Sequence, residues 1–204
     1  MKYFKFISAI LLISYVTCSS INVCVDQSQF TDSNFQQLVT NIDALFPTND
    51  TRDFLARTVR LTFHDCASGC NGCVDFSNTD NLGLEQIVGQ AARLFRIYGS
   101  KTFWGKYKLS RADIYALMGY RAIYIGSNFP GLTIPTCEFK IGRKDCTGPQ
   151  DNKEIFASSL GNWEQIFNFY QTEFKFTTQE IVAIMGARTL GRTWTENSDT
   201  KARG

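Results

Sequence analysis

The chain contains one histidine in 204 residues. Any chemistry that needs two imidazoles is therefore excluded. Charge of one sign is not in surplus either, with Lys and Arg numbering 21 and Asp and Glu 19. The first twenty residues hold Lys2 and Lys5 and no acid, so the remainder is balanced. Binding to a phosphate backbone needs a basic surplus, which argues against a nucleic-acid partner. The longest N-terminal apolar run, Phe6 to Val16, is too short to span a bilayer, and no second stretch approaches membrane length. There is no internal repeat, and no linker-like shift in composition divides the chain. What is present is 44% hydrophobic and rich in phenylalanine, with seventeen. That is enough apolar surface for one sizeable core, and it rules out a disordered chain.

Lys2 and Lys5, the apolar run, and the small residues Thr17, Cys18, Ser19 and Ser20 have the layout of a signal peptide. Residues 1–20 are expected to be removed and residues 21–204 to be secreted, an uncleaved anchor being the alternative reading of the same run. Asn49-Asp50-Thr51 is an N-glycosylation acceptor sequence, consistent with that route. Cys18 lies in the cleavage zone, leaving Cys24, Cys66, Cys70, Cys73, Cys137 and Cys146. An even set fits disulfides in an oxidising compartment, although sequence leaves their pairing open. Cys137 and Cys146 bracket a short segment and could close a small loop. Cys66, Cys70 and Cys73 with His64 are also zinc-ligand residue types, but a secreted chain favours disulfides.

The periodicity is mostly helical. Helices are expected over Phe35 to Phe46, stopped by Pro47, and over Thr51 to about Ala67, with Phe54, Leu55, Val59 and Phe63 as its apolar positions. A third runs from Leu82 to Tyr98, after a loop of Gly, Asn, Asp and Cys over Ser68 to Asp80. Ser110 with Asp113 opens a fourth, to about Ile125. Glu138 to Ile141 reads as a short strand. Asn162 with Gln165 starts another helix, through about Tyr170, and Thr177 with Glu180 starts the last.

The sharpest segment is Val59-Arg60-Leu61-Thr62-Phe63-His64-Asp65-Cys66. On a helix, Arg60, Phe63 and His64 share one side. A fixed cation beside an imidazole disfavours the imidazolium and leaves a base near neutral pH. The pair suits a reaction in which a proton moves while negative charge develops nearby. A surface Arg above a half-buried structural His is the plainer reading of the same spacing.

This segment resembles the distal haem motif R-x-x-F-H-D-C of the plant-type haem peroxidases. Further matches follow in the family's order. Gly69-Cys70-Asn71-Gly72-Cys73-Val74-Asp75 is a Gly/Cys-rich loop, and Asp80-Asn81-Leu82-Gly83-Leu84 resembles Asn-x-Gly-Leu. Leu109-Ser110-Arg111-Ala112-Asp113 matches S-x-A-D, and Ile141-Gly142-Arg143-Lys144-Asp145 matches G-R-x-D. Met185-Gly186-Ala187-Arg188-Thr189-Leu190-Gly191-Arg192 resembles the proximal G-A-H-T-x-G-R. The likeness covers about residues 30 to 195, and its cysteine loop is closer to animal and algal, class II-like members than to higher-plant enzymes.

The resemblance implies an all-α plant-type haem peroxidase fold, stapled by disulfides, with haem b between distal and proximal halves. It implies reduction of hydrogen peroxide with oxidation of a small donor, in the response to oxidative stress. His64 would move the peroxide proton, Arg60 would stabilise charge, and Asn81 would fix the imidazole tautomer. Phe63 and Thr189 would lie beside the cofactor. Asp65 resembles a calcium ligand, with Gly72, Asp75 and Ser77 as companions. Arg188 stands where the family has its axial histidine, and a guanidinium offers iron no lone pair. The family also continues well past the proximal motif, so the domain is expected to lack its C-terminal part and to leave apolar surface open to a partner chain. A secreted non-catalytic pseudo-peroxidase, a binding module on the same fold, is the alternative function.

Overall fold

The computed structural model describes residues 23–24, 33–46, 51–67, 69–99, 109–126, 140–148, 155–157 and 161–187. Residues 1–20, expected as a signal peptide, Asn49, Cys137, and Arg188 and Thr189, expected on the proximal side, lie outside the described residues. Six α-helices occur among those described: α1 Ser33–Asp43, α2 Thr51–Ala67, α3 Glu85–Tyr98, α4 Arg111–Gly126, α5 Trp163–Phe174 and α6 Thr178–Ala187. The all-α expectation holds, with one small addition. Two-residue strands β1 (Val23–Cys24) and β2 (Lys140–Ile141) pair antiparallel, Val23 against Ile141. None of the described helices is long and apolar enough to cross a membrane.

Helix α4 is the centre. Every residue from Ala112 to Gly119 is buried, and α1, α2 and α3 all pack against it. A helix buried nearly all round cannot show a narrow apolar stripe, which is why so little of its sequence alternates. Its crossing with α2 is close because Gly119 faces Thr62, and a Cβ at Gly119 would strike that side chain. Thr62 satisfies its own hydroxyl there by donating to the Tyr115 carbonyl at 2.8 Å.

The boundaries differ from expectation for local reasons. Helix α1 ends at Asp43 because Leu45 and Phe46 donate to Ile42 and Asp43 in tight i to i+3 bonds. Helix α3 starts at Glu85, not Leu82, because a 3₁₀ turn over Thr79–Asn81 and Gly83 at φ +85° come first. Its buried residues, Ile87, Ala91, Leu94 and Tyr98, keep the expected spacing. Helix α5 has the reciprocal Asn162–Gln165 cap and runs on to Phe174, ending at Lys175 in the left-handed region. In α2 the buried face is not the expected apolar row. Val59 is buried as expected, but Thr58, Leu61, Thr62, Asp65 and Cys66 are buried too, while Phe54, Leu55 and Phe63 are half-buried against the core. The inner face of α2 is thus partly polar, while Arg60, Phe63 and His64 share another side of the helix.

Candidate active site

His64 sits near the end of α2 and is only 8% exposed. Its Nδ1 is 2.7 Å from Oδ1 of Asn81, which is fully buried on the 3₁₀ turn. The other end of that amide donates from Nδ2 to the Asp75 carbonyl at 2.8 Å. A carbonyl only accepts, so this bond orients the amide and turns its oxygen to the ring. Nδ1 must then be the donor, and the neutral ring carries its lone pair on Nε2. Asp75 is itself set by an Asx turn, its Oδ1 accepting from the Ser77 hydroxyl at 2.7 Å and the Ser77 N–H at 2.8 Å. Those bonds hold the Asp75 carboxyl below its usual range, the hydroxyl contributing most.

Arg60, one turn earlier on α2, docks on the same 3₁₀ turn. Its Nη1 donates to the Leu82 carbonyl at 3.0 Å and its Nη2 to the Asp80 carbonyl. Burial works against its charge, and Asp80 and Glu85 work for it. One short segment, residues 80–82, therefore positions both the imidazole and the guanidinium. The three residues expected to act together, Arg60, His64 and Asn81, are brought together.

Phe63 meets His64 edge to face, ring centroids 5.8 Å apart. A residue that sequence reasoning missed lies closer. The Phe156 ring is 4.4 Å from the His64 ring, tilted by 42°, and 6.4 Å from Phe63. No sequence signal marks Phe156, because it lies in an irregular stretch without periodicity.

On the far side of the site, the loop after α2 is tied to the start of α4. The disulfides among the described residues are Cys66–Cys70 and Cys73–Cys146. Cys146 thus pairs with Cys73 and not with Cys137, as its short bracket had allowed. The three loop cysteines are engaged as disulfides, which takes them out of a zinc site with His64. Asp145 accepts from the N–H groups of Arg111 and Ala112, and Ser110 Oγ from that of Asp113, so the first turn of α4 is satisfied. Asp113 returns to the Ser110 N–H and also takes the Gly142 and Arg143 N–H groups and the Arg143 side chain.

Gly72, at φ +71°, passes against this helix start, where a Cβ would meet Asp145 and the Ala112 nitrogen. Its N–H donates to Asp65 Oδ1 at 2.6 Å. The calcium candidates are thus joined in hydrogen-bonded pairs, Asp65 with Gly72 and Asp75 with Ser77. Among the described residues no group of three or more His, Cys, Asp or Glu is placed to hold a metal ion. Burial pushes the Asp65 carboxyl up to about 7, against the Gly72 N–H and Arg143, which pull it down.

A family model described as peroxidase matches residues 36–203. The chain belongs to the peroxidase family. No curated protein and no solved structure matches it significantly. A peroxidase in general implies an oxidoreductase with haem, a peroxide and a reducing substrate. The donor set of this peroxidase-family chain offers that cofactor's iron no histidine besides His64, whose Nδ1 is engaged with Asn81. His64 and Arg60 lie one turn apart on α2, both held by residues 80–82. The motif resemblance sets Arg188 against the family's axial histidine, and the single imidazole of the chain is the one bonded to Asn81. No histidine remains to ligate iron.

Proposed function

We propose that this chain is a secreted oxidoreductase whose distal residues handle hydrogen peroxide while a small donor is oxidised, in the response to oxidative stress. The observation that carries the reading is the run of bonds from Asp75 through Asn81 to His64, with Arg60 docked on the same turn. Reducing hydrogen peroxide to two waters takes two electrons and two protons, the electrons coming from the donor. His64 Nε2 accepts one peroxide proton and delivers it to the oxygen that leaves as water. Asn81 holds Nδ1–H through both transfers, so the ring keeps its tautomer and orientation. Arg60 offsets the negative charge that grows as the O–O bond breaks, and burial strengthens that effect. Phe63 lines the approach. Calcium at Asp65, Gly72, Asp75 and Ser77 belongs to the same reading.

Haem b, when bound, supplies the redox centre. Arg188 has no lone pair to give its iron. That same residue favours a second reading, a pseudo-peroxidase that keeps the fold and binds without turnover.

Haem titration followed by absorbance separates the two. The enzyme reading expects a Soret band and donor oxidation that depends on peroxide and is lost in His64→Ala. Arg188→His should tighten haem binding. A chain that shows neither band nor oxidation, before or after Arg188→His, is the pseudo-peroxidase. Secretion rests on Lys2, Lys5 and the run from Phe6 to Val16. N-terminal sequencing of protein recovered from the medium tests it, since an intact Met1 would contradict cleavage.

A further inference from the structure

We propose that Phe156 is a specificity-determining residue, a steric guard that narrows the approach to His64 Nε2 and admits small peroxides while excluding bulky organic hydroperoxides. This rests on the peroxide reading above, but the geometry stands without it. The Nδ1 edge of the imidazole is closed by Asn81 at 2.7 Å. Phe63 meets the ring at 5.8 Å and Phe156 at 4.4 Å, the shorter of the two ring contacts. With one edge bonded and two phenyl rings against it, the side chain is 8% exposed. The phenyl group has no proton to exchange and no lone pair, so its influence on His64 is one of shape and dielectric.

The position of Phe156 is also held from outside the helix that carries His64. It belongs to residues 155–157, in which Ala157 is 7% exposed and Ile155 is 43% exposed. Ala157 roots this piece of chain in the core, and Phe156 reaches from it to both His64 and Phe63. A guard on a separate segment can change the width of the approach without altering the turn that fixes the tautomer. That separates access, set by Phe156, from proton transfer, set by His64 and Asn81.

Because the chain has a single histidine, its reactivity and its proton resonances can be read without background. The probe is diethyl pyrocarbonate, which ethoxycarbonylates a neutral imidazole nitrogen and is followed by absorbance and mass. Phe156→Ala should speed modification of His64 several-fold, Phe156→Leu should fall between it and the parent, and Phe156→Trp should be slower than the parent. In the unsubstituted chain, ring currents should displace the His64 Cε1 proton from the position of a solvated imidazole. Phe156→Ala should move it back while Asn81 still holds Nδ1–H. A parent resonance at the solvated position, or equal modification rates across the series, overturns the proposal, and the first of these needs no variant to fold. In any variant that reacts with peroxide, Phe156→Ala should lower KM for cumene hydroperoxide more than for hydrogen peroxide. Shielding by Phe156 with no peroxide reaction in any variant would overturn the substrate-size claim together with the peroxide reading, and leave the guard over His64 supported.

Discussion

Asp113 on α4 and Arg143 after β2 form an ion pair of 3.0 Å in which the side chains are 0% and 2% exposed. The carboxylate also accepts the N–H groups of Ser110, Gly142 and Arg143. It therefore joins the start of the central helix to the turn that follows β2. Asp145, two residues beyond Arg143, accepts from the first two N–H groups of that same helix. The loop behind His64 leans on this assembly through Cys73–Cys146 and Gly72.

Breaking that pair from one side should be costly. Asp113→Ala leaves a buried guanidinium and several backbone donors, and Arg143→Met leaves a buried carboxylate. Each is expected to lose about 3–5 kcal/mol, and the double variant less than the sum. Urea denaturation of the three proteins checks this, and strictly additive losses would show that the two groups do not act as a unit.

Asn81→Ala should release the His64 tautomer. In protein labelled with ¹⁵N at histidine, the parent should show a protonated Nδ1 and an unprotonated Nε2, and the variant a mixture. Any peroxide reaction should fall by about 10–100-fold, the usual scale for losing the group that orients a functional imidazole. An unchanged nitrogen spectrum would mean that Asn81 does not set the ring.

Asp65 ties stability to pH. Burial holds its carboxyl at about 7 in the folded chain, against the ordinary 3.8 of an exposed aspartate in the unfolded chain. Below 3.8 both states hold the proton, so its contribution is fully present. As pH rises from there to about 7 the unfolded state ionises first, and stability falls until the folded group has also ionised. In chelator, the parent should therefore lose stability across that window relative to Asp65→Asn, which is read by Tm at a series of pH values. If Asp65, Gly72, Asp75 and Ser77 hold calcium, adding the ion at neutral pH should raise the Tm of the parent and leave that of Asp65→Asn unchanged. Parallel Tm curves in chelator would remove the buried-carboxyl account.

The pairing of the loop cysteines is open to direct chemistry. A peptide map without reductant should link the fragments containing Cys73 and Cys146. Replacing both by Ser should lower stability by about 2–5 kcal/mol, because the bridge spans 73 residues and restrains the unfolded chain. Recovery of a Cys137–Cys146 fragment instead would contradict the fold around α4.

Much of the helical layout was legible locally. The caps Ser110–Asp113, Asn162–Gln165 and Thr177–Glu180 all form, since a cap is made by residues three apart and needs no distant partner. Arg60 and His64 were legible as a pair for the same reason, one turn of helix. Of the apolar row Phe54, Leu55, Val59 and Phe63, only Val59 is fully buried, and the row missed the polar residues Thr58, Thr62 and Asp65 on the inner face of α2. What lies inside depends on what α4 presents, and Gly119 and Tyr115 there accept a threonine as neighbour.

From sequence alone came the six helices, the motif set, the absence of a second imidazole and the arginine at position 188. These follow from short-range spacing or from residue identity, and neither waits on folding. Only the tertiary structure decided that the Asp80 and Leu82 carbonyls hold Arg60, that Cys146 joins Cys73, that Asp113 meets Arg143, and that Phe156 rests on His64. Each of these contacts joins residues twenty or more positions apart. Such pairs carry no periodic signature, because their partners are chosen by how helices stack around α4 and not by the order of residues along any one of them.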